Sequence, residues 1–227
     1  MISFPFPDRI ESREELKRDI LYDKINPEDL GTIADLAWEK GVTAMKNLLD
    51  EQAGEDRDIA RLCKKKGLTI VREDKDHVAG NMRFFSEYFS GKKQIVMYEK
   101  SIAKWASSNS MPLKAAWNLI LSHELYHHLE CTDLGLTSEL YKVPWIRIGR
   151  FSLGHCGIRA LSEIGAHGFS RTYYDACYGE KSTSQEEVPE SRTKLKNQAM
   201  NEIHMRSAQG AGGLGIRKLL DPLRRRK

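Results

Sequence analysis

His123-Glu124-Leu125-Tyr126-His127 constrains what this chain can fold into more than any other stretch of it. Two histidines four residues apart on a helix differ by about 40° around its axis, so both imidazoles reach one cation while the Glu between them stands beside it. The layout points to zinc peptidase chemistry. A chain that uses it must make the pentapeptide helical and bring a further ligand to it from elsewhere.

The setting agrees with a largely buried helix. Leu113, Ala116, Trp117, Ile120 and Leu121 recur at helical spacing just before the motif, Pro112 suits a first turn, and Ser110 is the expected cap. His128 lies about 140° from His123 around such a helix, off the metal side, and reads as a surface imidazole or one that supports the ligands from behind.

Charged segments with helical spacing run from Glu14 to Ile25 and from Glu28 to Glu51, with Gly41 as a kink or break and Gln52 to Asp56 as a joint. Residues 1–56 are therefore expected to form a helical N-terminal extension. Arg57 to Lys66 predicts a helix ended by Gly67, which opens a compact unit reaching residue 178. Leu68 to Arg72, Met82 to Phe89 and Gln94 to Tyr98 predict strands, the last two joined by Ser90-Gly91-Lys92-Lys93. The expected fold class is α+β, with a small, mostly antiparallel sheet packed on the motif helix and on a second ligand-bearing helix. An exposed strand near the metal would hold a peptide substrate in extended form by adding it to the sheet.

Cys131 to Cys156 reads as a long connection, either an ordered loop over the cleft or short irregular structure on the core. A second helix is predicted from Ile158 to about Tyr178. Residues 179–227 read as a polar linker from Glu180 to Glu190, a short helix from Ser191 to Ser207, a glycine-rich stretch from Ala208 to Gly215 and a basic tail.

Of the 227 residues, 40% are hydrophobic and 30% charged, which is ordinary for a soluble domain. With no apolar run near the length of a membrane span and no leading signal pattern, a cytoplasmic protein without a membrane partner is expected. Cys63, Cys131, Cys156 and Cys177 make no Cys-x-x-Cys pair, so free thiols are expected. Much of the net charge of +4 comes from Arg224, Arg225, Arg226 and Lys227, which read as a solvated terminus rather than a direct nucleic-acid contact. The oligomeric state is not legible.

A catalytic zinc site takes three protein ligands and leaves one position for water. Six residues past His127 stands Asp133, and Glu130 occupies the place of the accompanying glycine, which excludes the metzincin pattern. Glu163 is the better third ligand, with His167 one turn further on the same face, where it can steady a ligand imidazole. His155 and Cys156 are rival ligands. Closure of the site by Cys131, His155 or Cys156 would instead make a zinc-binding regulatory or sensing module without peptidase activity. The visible donors for a developing oxyanion are His155, His167, Tyr173 and Tyr174.

Ile59 to Ile70, the strand Gln94 to Tyr98, the motif from His123 to His127, and Glu163-x-x-Ala166-His167-x-Phe169 follow one another as they do in ImmA/IrrE-like metallopeptidases. The chain resembles that family over roughly residues 57–178. The resemblance implies a compact gluzincin-like, hence zincin-like, fold. It implies zinc held by His123, His127 and Glu163, Glu124 as general base, and His167 where the family's second motif carries Asn. It also implies a protein or peptide substrate, with regulatory cleavage of a transcriptional repressor as one form. Ser170 stands at the family's usual Ala, Arg171-Thr172-Tyr173-Tyr174 replaces a Leu-Leu-Met-Pro-like segment, and residues 1–56 show no evident helix-turn-helix.

Overall fold

The computed structural model describes residues 4–51, 57–148 and 151–179, and they are mixed α+β. In chain order, a 3₁₀ segment (Glu11–Arg18) leads to α1 (Leu30–Asp50) and α2 (Ile59–Lys65). Strands β1 (Thr69–Glu73), β2 (His77–Ala79), β3 (Met82–Phe84), β4 (Ser86–Phe89) and β5 (Gln94–Tyr98) follow, then α3 (Glu99–Ser108) and α4 (Leu113–Leu129). A hairpin of β6 (Lys142–Ile148) and β7 (Phe151–Gly157) precedes α5 (Ala160–Tyr178). The expected joint over Gln52 to Asp56 and everything expected from Glu180 onward lie outside the described residues.

Strand β5 is the centre of the main sheet, with β1 on one side and β4 on the other. Its Ile95, Val96, Met97 and Tyr98 are all buried, as a strand covered on both faces requires. β4 pairs with β5 antiparallel across the tight turn that Lys93 closes at φ 47°, whereas β1 pairs with β5 parallel. The expectation of antiparallel pairing is thus corrected for β1. The long stretch from Asp74 to Lys93 lets the chain return in the same direction, which a short turn cannot do. The single strand expected over Met82 to Phe89 is two: β3 pairs with β2, β4 pairs with β5, and the Phe85 carbonyl between them accepts from the Tyr98 N–H at 2.9 Å.

Other departures have local causes. Glu14 to Ile25 is not an α-helix, because the Asp19 carboxylate bonds the Leu21 N–H and the Ala160 N–H at 2.9 Å each, and Asp19 takes an extended backbone with ψ 134°. Ser110 does not cap α4; it adopts φ 51°, and Pro112 occupies the cap position without a side-chain bond. Cys131 to Cys156 contains the β6–β7 hairpin rather than a loop. Helix α3, which buries Ser101, Ile102 and Ala106, was not expected.

Gly41 neither kinks nor breaks α1. A Cβ there would stand 1.9 Å from the Gly165 carbonyl oxygen of α5, and a Cβ on Gly168 would stand 2.4 Å from the Trp38 carbonyl oxygen. Small residues on both helices therefore allow α1 and α5 to meet backbone to backbone. Around that crossing Leu16, Ile33 and Ala37 pack with Ile158, Leu161 and Ile164, while α4 is enclosed by Met45, Ile59, Ile95, Ile102 and Phe169. The four cysteines are free, and among the described residues no helix is long and apolar enough to cross a membrane.

Candidate metal centre

From Asn118 to Glu130 every residue is buried except His123, Glu124 and His127, which are half-buried. Over this stretch α4 therefore offers the solvent only the three side chains with chemistry. Their Nε2 atoms place His123 and His127 3.1 Å apart, and Glu163 reaches across from α5, with Oε2 3.2 Å from His123 Nε2 and Oε1 3.5 Å from His127 Nε2. One donor atom from each of the three lies within 4.8 Å of the others. Two imidazole nitrogens and a carboxylate at that spacing are a donor set zinc accepts.

The charges also suit a cation. Burial opposes a protonated His127, but the carboxylates of Glu130, Glu163 and Glu124 outweigh it and push the ring up to about 9. Burial would raise Glu163, yet His123 and His127 hold it down at about 2. The cluster thus favours positive charge at its centre.

His127 is oriented by a residue the sequence reading passed over. Its Nδ1 lies 3.2 Å from Glu130 Oε2, and Glu130, only 4% exposed, accepts at Oε1 from the Thr137 N–H at 2.7 Å and the Ser162 hydroxyl at 3.0 Å. The π-helical turn Glu130–Leu134 begins at this carboxylate. Its signal in the sequence is the i, i+3 spacing from His127, at the place where a metzincin carries glycine. His123 has no such support: its Nδ1 is buried without a hydrogen-bond partner. Glu130→Gln, which keeps the shape but weakens the hold on His127, is expected to lower zinc affinity about 10- to 100-fold in competition with a chromophoric chelator.

Glu124 is held by a second residue not foreseen, Ser86 at the start of β4, whose hydroxyl donates to Oε1 at 2.7 Å. His167 lies beside the cluster, its ring 5.6 Å from that of His123, but its Nδ1 faces the Ser12 hydroxyl at 3.1 Å. Burial, reinforced by the neighbouring His123, pushes His167 down to about 3, so it stands as a neutral ring. His155 is on β7, opposite Pro144, and with Cys131 and Cys156 it lies outside the cluster. Tyr174 is buried against Phe4 and Tyr178, and the Tyr173 hydroxyl donates to the Arg57 carbonyl at 3.2 Å. Of the four oxyanion candidates, His167 alone adjoins the cluster. His128 is 1% exposed rather than a surface group; its Nε2 bonds the Lys66 carbonyl and its Nδ1 the Tyr88 hydroxyl.

No family profile, no curated protein and no solved structure matches this chain.

Proposed function

We propose that the chain is a zinc-dependent metallopeptidase with a gluzincin-like site, of the kind its resemblance to ImmA/IrrE-like enzymes implies. The observation that carries this reading is the meeting of His123, His127 and Glu163 beside Glu124, on a stretch of α4 that from Asn118 onward is otherwise buried. Three donors without Cys131, His155 or Cys156 leave a position for water, which favours hydrolysis over a closed structural site. The zincin-like label for the fold, and residues 57–178 as the peptidase unit, belong to the same proposal.

Zinc held there would acidify a water and polarise the substrate carbonyl. The protein's own part is positional and acid–base. Ser86 engages Oε1 of Glu124, so the other carboxylate oxygen takes the proton of the attacking water and then returns it to the leaving amine. β4 ends the sheet, so an extended peptide can add along it and bring its carbonyl over Glu124. The proposed substrate is a protein or peptide, a transcriptional repressor among them, in a cytoplasmic setting that suits the free thiols.

The test is cleavage of an unfolded protein or peptide mixture by the zinc-loaded chain. Cleavage is expected to stop with a chelator and to return with added zinc. Cleavage indifferent to the chelator, or none with zinc bound, would contradict the reading.

A further inference from the structure

Phe6 lies among the metal-site side chains without holding them. Its ring stacks on Trp105 at 5.3 Å and stands 5.8 Å from the His123 ring and 5.9 Å from the His167 ring. The stretch that carries it is pinned on both sides. Phe4 packs on Tyr174 at 5.3 Å, with the Arg171 guanidinium 5.0 Å from its ring, and the fully buried Ser12 bonds His167.

Next to Phe6 opens a cavity of about 220 Å³, bounded by Phe84, Phe85 and Ile120 and reaching His123 and Glu124. That is less than the roughly 300–1,000 Å³ of sites that enclose a whole small molecule, and it suits one side chain. Away from His123 and Glu124, the walls formed by Phe6, Phe84, Phe85 and Ile120 are aromatic and aliphatic. The two further polar groups at its rim are already engaged, Arg83 with Asp76 at 2.8 Å and Ser86 with Glu124 at 2.7 Å. A carboxylate entering would face Glu124 and find Arg83 already paired, whereas an apolar side chain gains by leaving water against Phe6, Phe84, Phe85 and Ile120.

We propose that this cavity, walled on one side by Phe6 from the chain's own N-terminal stretch, receives the large apolar side chain of the substrate residue adjoining the scissile bond. The substrate class is then peptides with a residue of leucine, methionine or phenylalanine size at that point. Phe6 and Phe84 determine this specificity. The inference rests on the peptidase reading and deepens it.

The experiment digests a degenerate peptide mixture with the zinc-loaded full chain and maps the cuts by mass spectrometry. Leu, Met or Phe on one constant side of the cut is expected, with kcat/KM for Leu over Ala on the order of 10²-fold. Phe6→Ala widens the cavity, and is expected to reduce that ratio about tenfold and to admit Trp, with zinc content unchanged. Phe84→Ala should act in the same direction from a different element, which separates pocket shape from any folding effect of one substitution. A readout without turnover uses the zinc-loaded Glu124→Gln chain, which should bind a Leu-containing peptide more tightly than its Ala counterpart, and lose the difference when Phe6→Ala is added. Cuts with no apolar preference, or a preference unchanged in both pocket variants, overturn the inference and leave the peptidase reading standing. Absence of zinc-dependent cleavage of any peptide overturns both.

Discussion

Glu124→Gln is expected to keep its zinc and to lose about 10²- to 10⁴-fold in kcat/KM for peptide cleavage. The amide has the size of the carboxylate and can still accept from Ser86, so the site keeps its shape. What it cannot do is take a proton from water. Because His123, His127 and Glu163 supply the donor set without Glu124, metal content and turnover should separate cleanly in this variant. A Glu124→Gln protein that holds zinc and retains more than about a tenth of wild-type kcat/KM would remove Glu124 as the general base.

Gly41→Ala should be among the most damaging single substitutions, although it adds only one methyl group. Its Cβ would fall 1.9 Å from the Gly165 carbonyl oxygen and 2.8 Å from the Phe169 nitrogen, backbone atoms that move only if the helices part. Overpacking of this kind costs about 3 kcal/mol or more, a fall in Tm of roughly 6–12 °C for a chain of this size. Gly31→Ala is the control, on the same helix, where a Cβ would meet nothing within 4 Å. There the gain in helix propensity should leave stability unchanged or raise it by up to about 0.5–1 kcal/mol. Since Gly165 stands two residues after Glu163, parting α1 from α5 also moves the carboxylate, and Gly41→Ala should weaken zinc binding as well. Equal melting temperatures for the two alanine variants, in thermal unfolding followed by circular dichroism, would show that the helices do not meet so closely.

The contrast between these two glycines shows which parts of the molecule were legible from the chain. Helix α4 and strand β5 announced themselves because their burial follows a local period: apolar spacing before His123 in one, an unbroken apolar run from Ile95 to Tyr98 in the other. The start and end of α5 were readable for the same reason, and with them the pairing of His123 and His127 with Glu163. Gly41 was not. In a helical pattern a glycine reads as a break, and only the approach of α5 makes it a packing residue.

Partners distant in sequence were lost in the same way. Nothing local distinguishes a strand that will pair parallel from one that will pair antiparallel, so the parallel pairing of β1 in a mostly antiparallel expectation was not legible. The β6–β7 hairpin was hidden because Trp145, Ile146, Phe151 and Leu153 are exposed, which masks the alternation expected of a half-buried strand. At the site, Glu130 could have been found from its i, i+3 spacing to His127, whereas Ser86 and Phe6 reach Glu124 and His123 only through tertiary folding. The cluster of His123, His127 and Glu163 was thus accessible to sequence reasoning, and the groups that orient and wall it mostly were not.

The central claim is that His123, His127 and Glu163 bind one zinc ion, and metal analysis of the purified chain tests it most directly. Wild type should contain about one zinc per chain, and Glu163→Ala and His127→Ala should lose most of it, with circular dichroism confirming that both remain folded. Full zinc occupancy in folded Glu163→Ala, or no zinc in wild type supplied with the metal, would contradict the account.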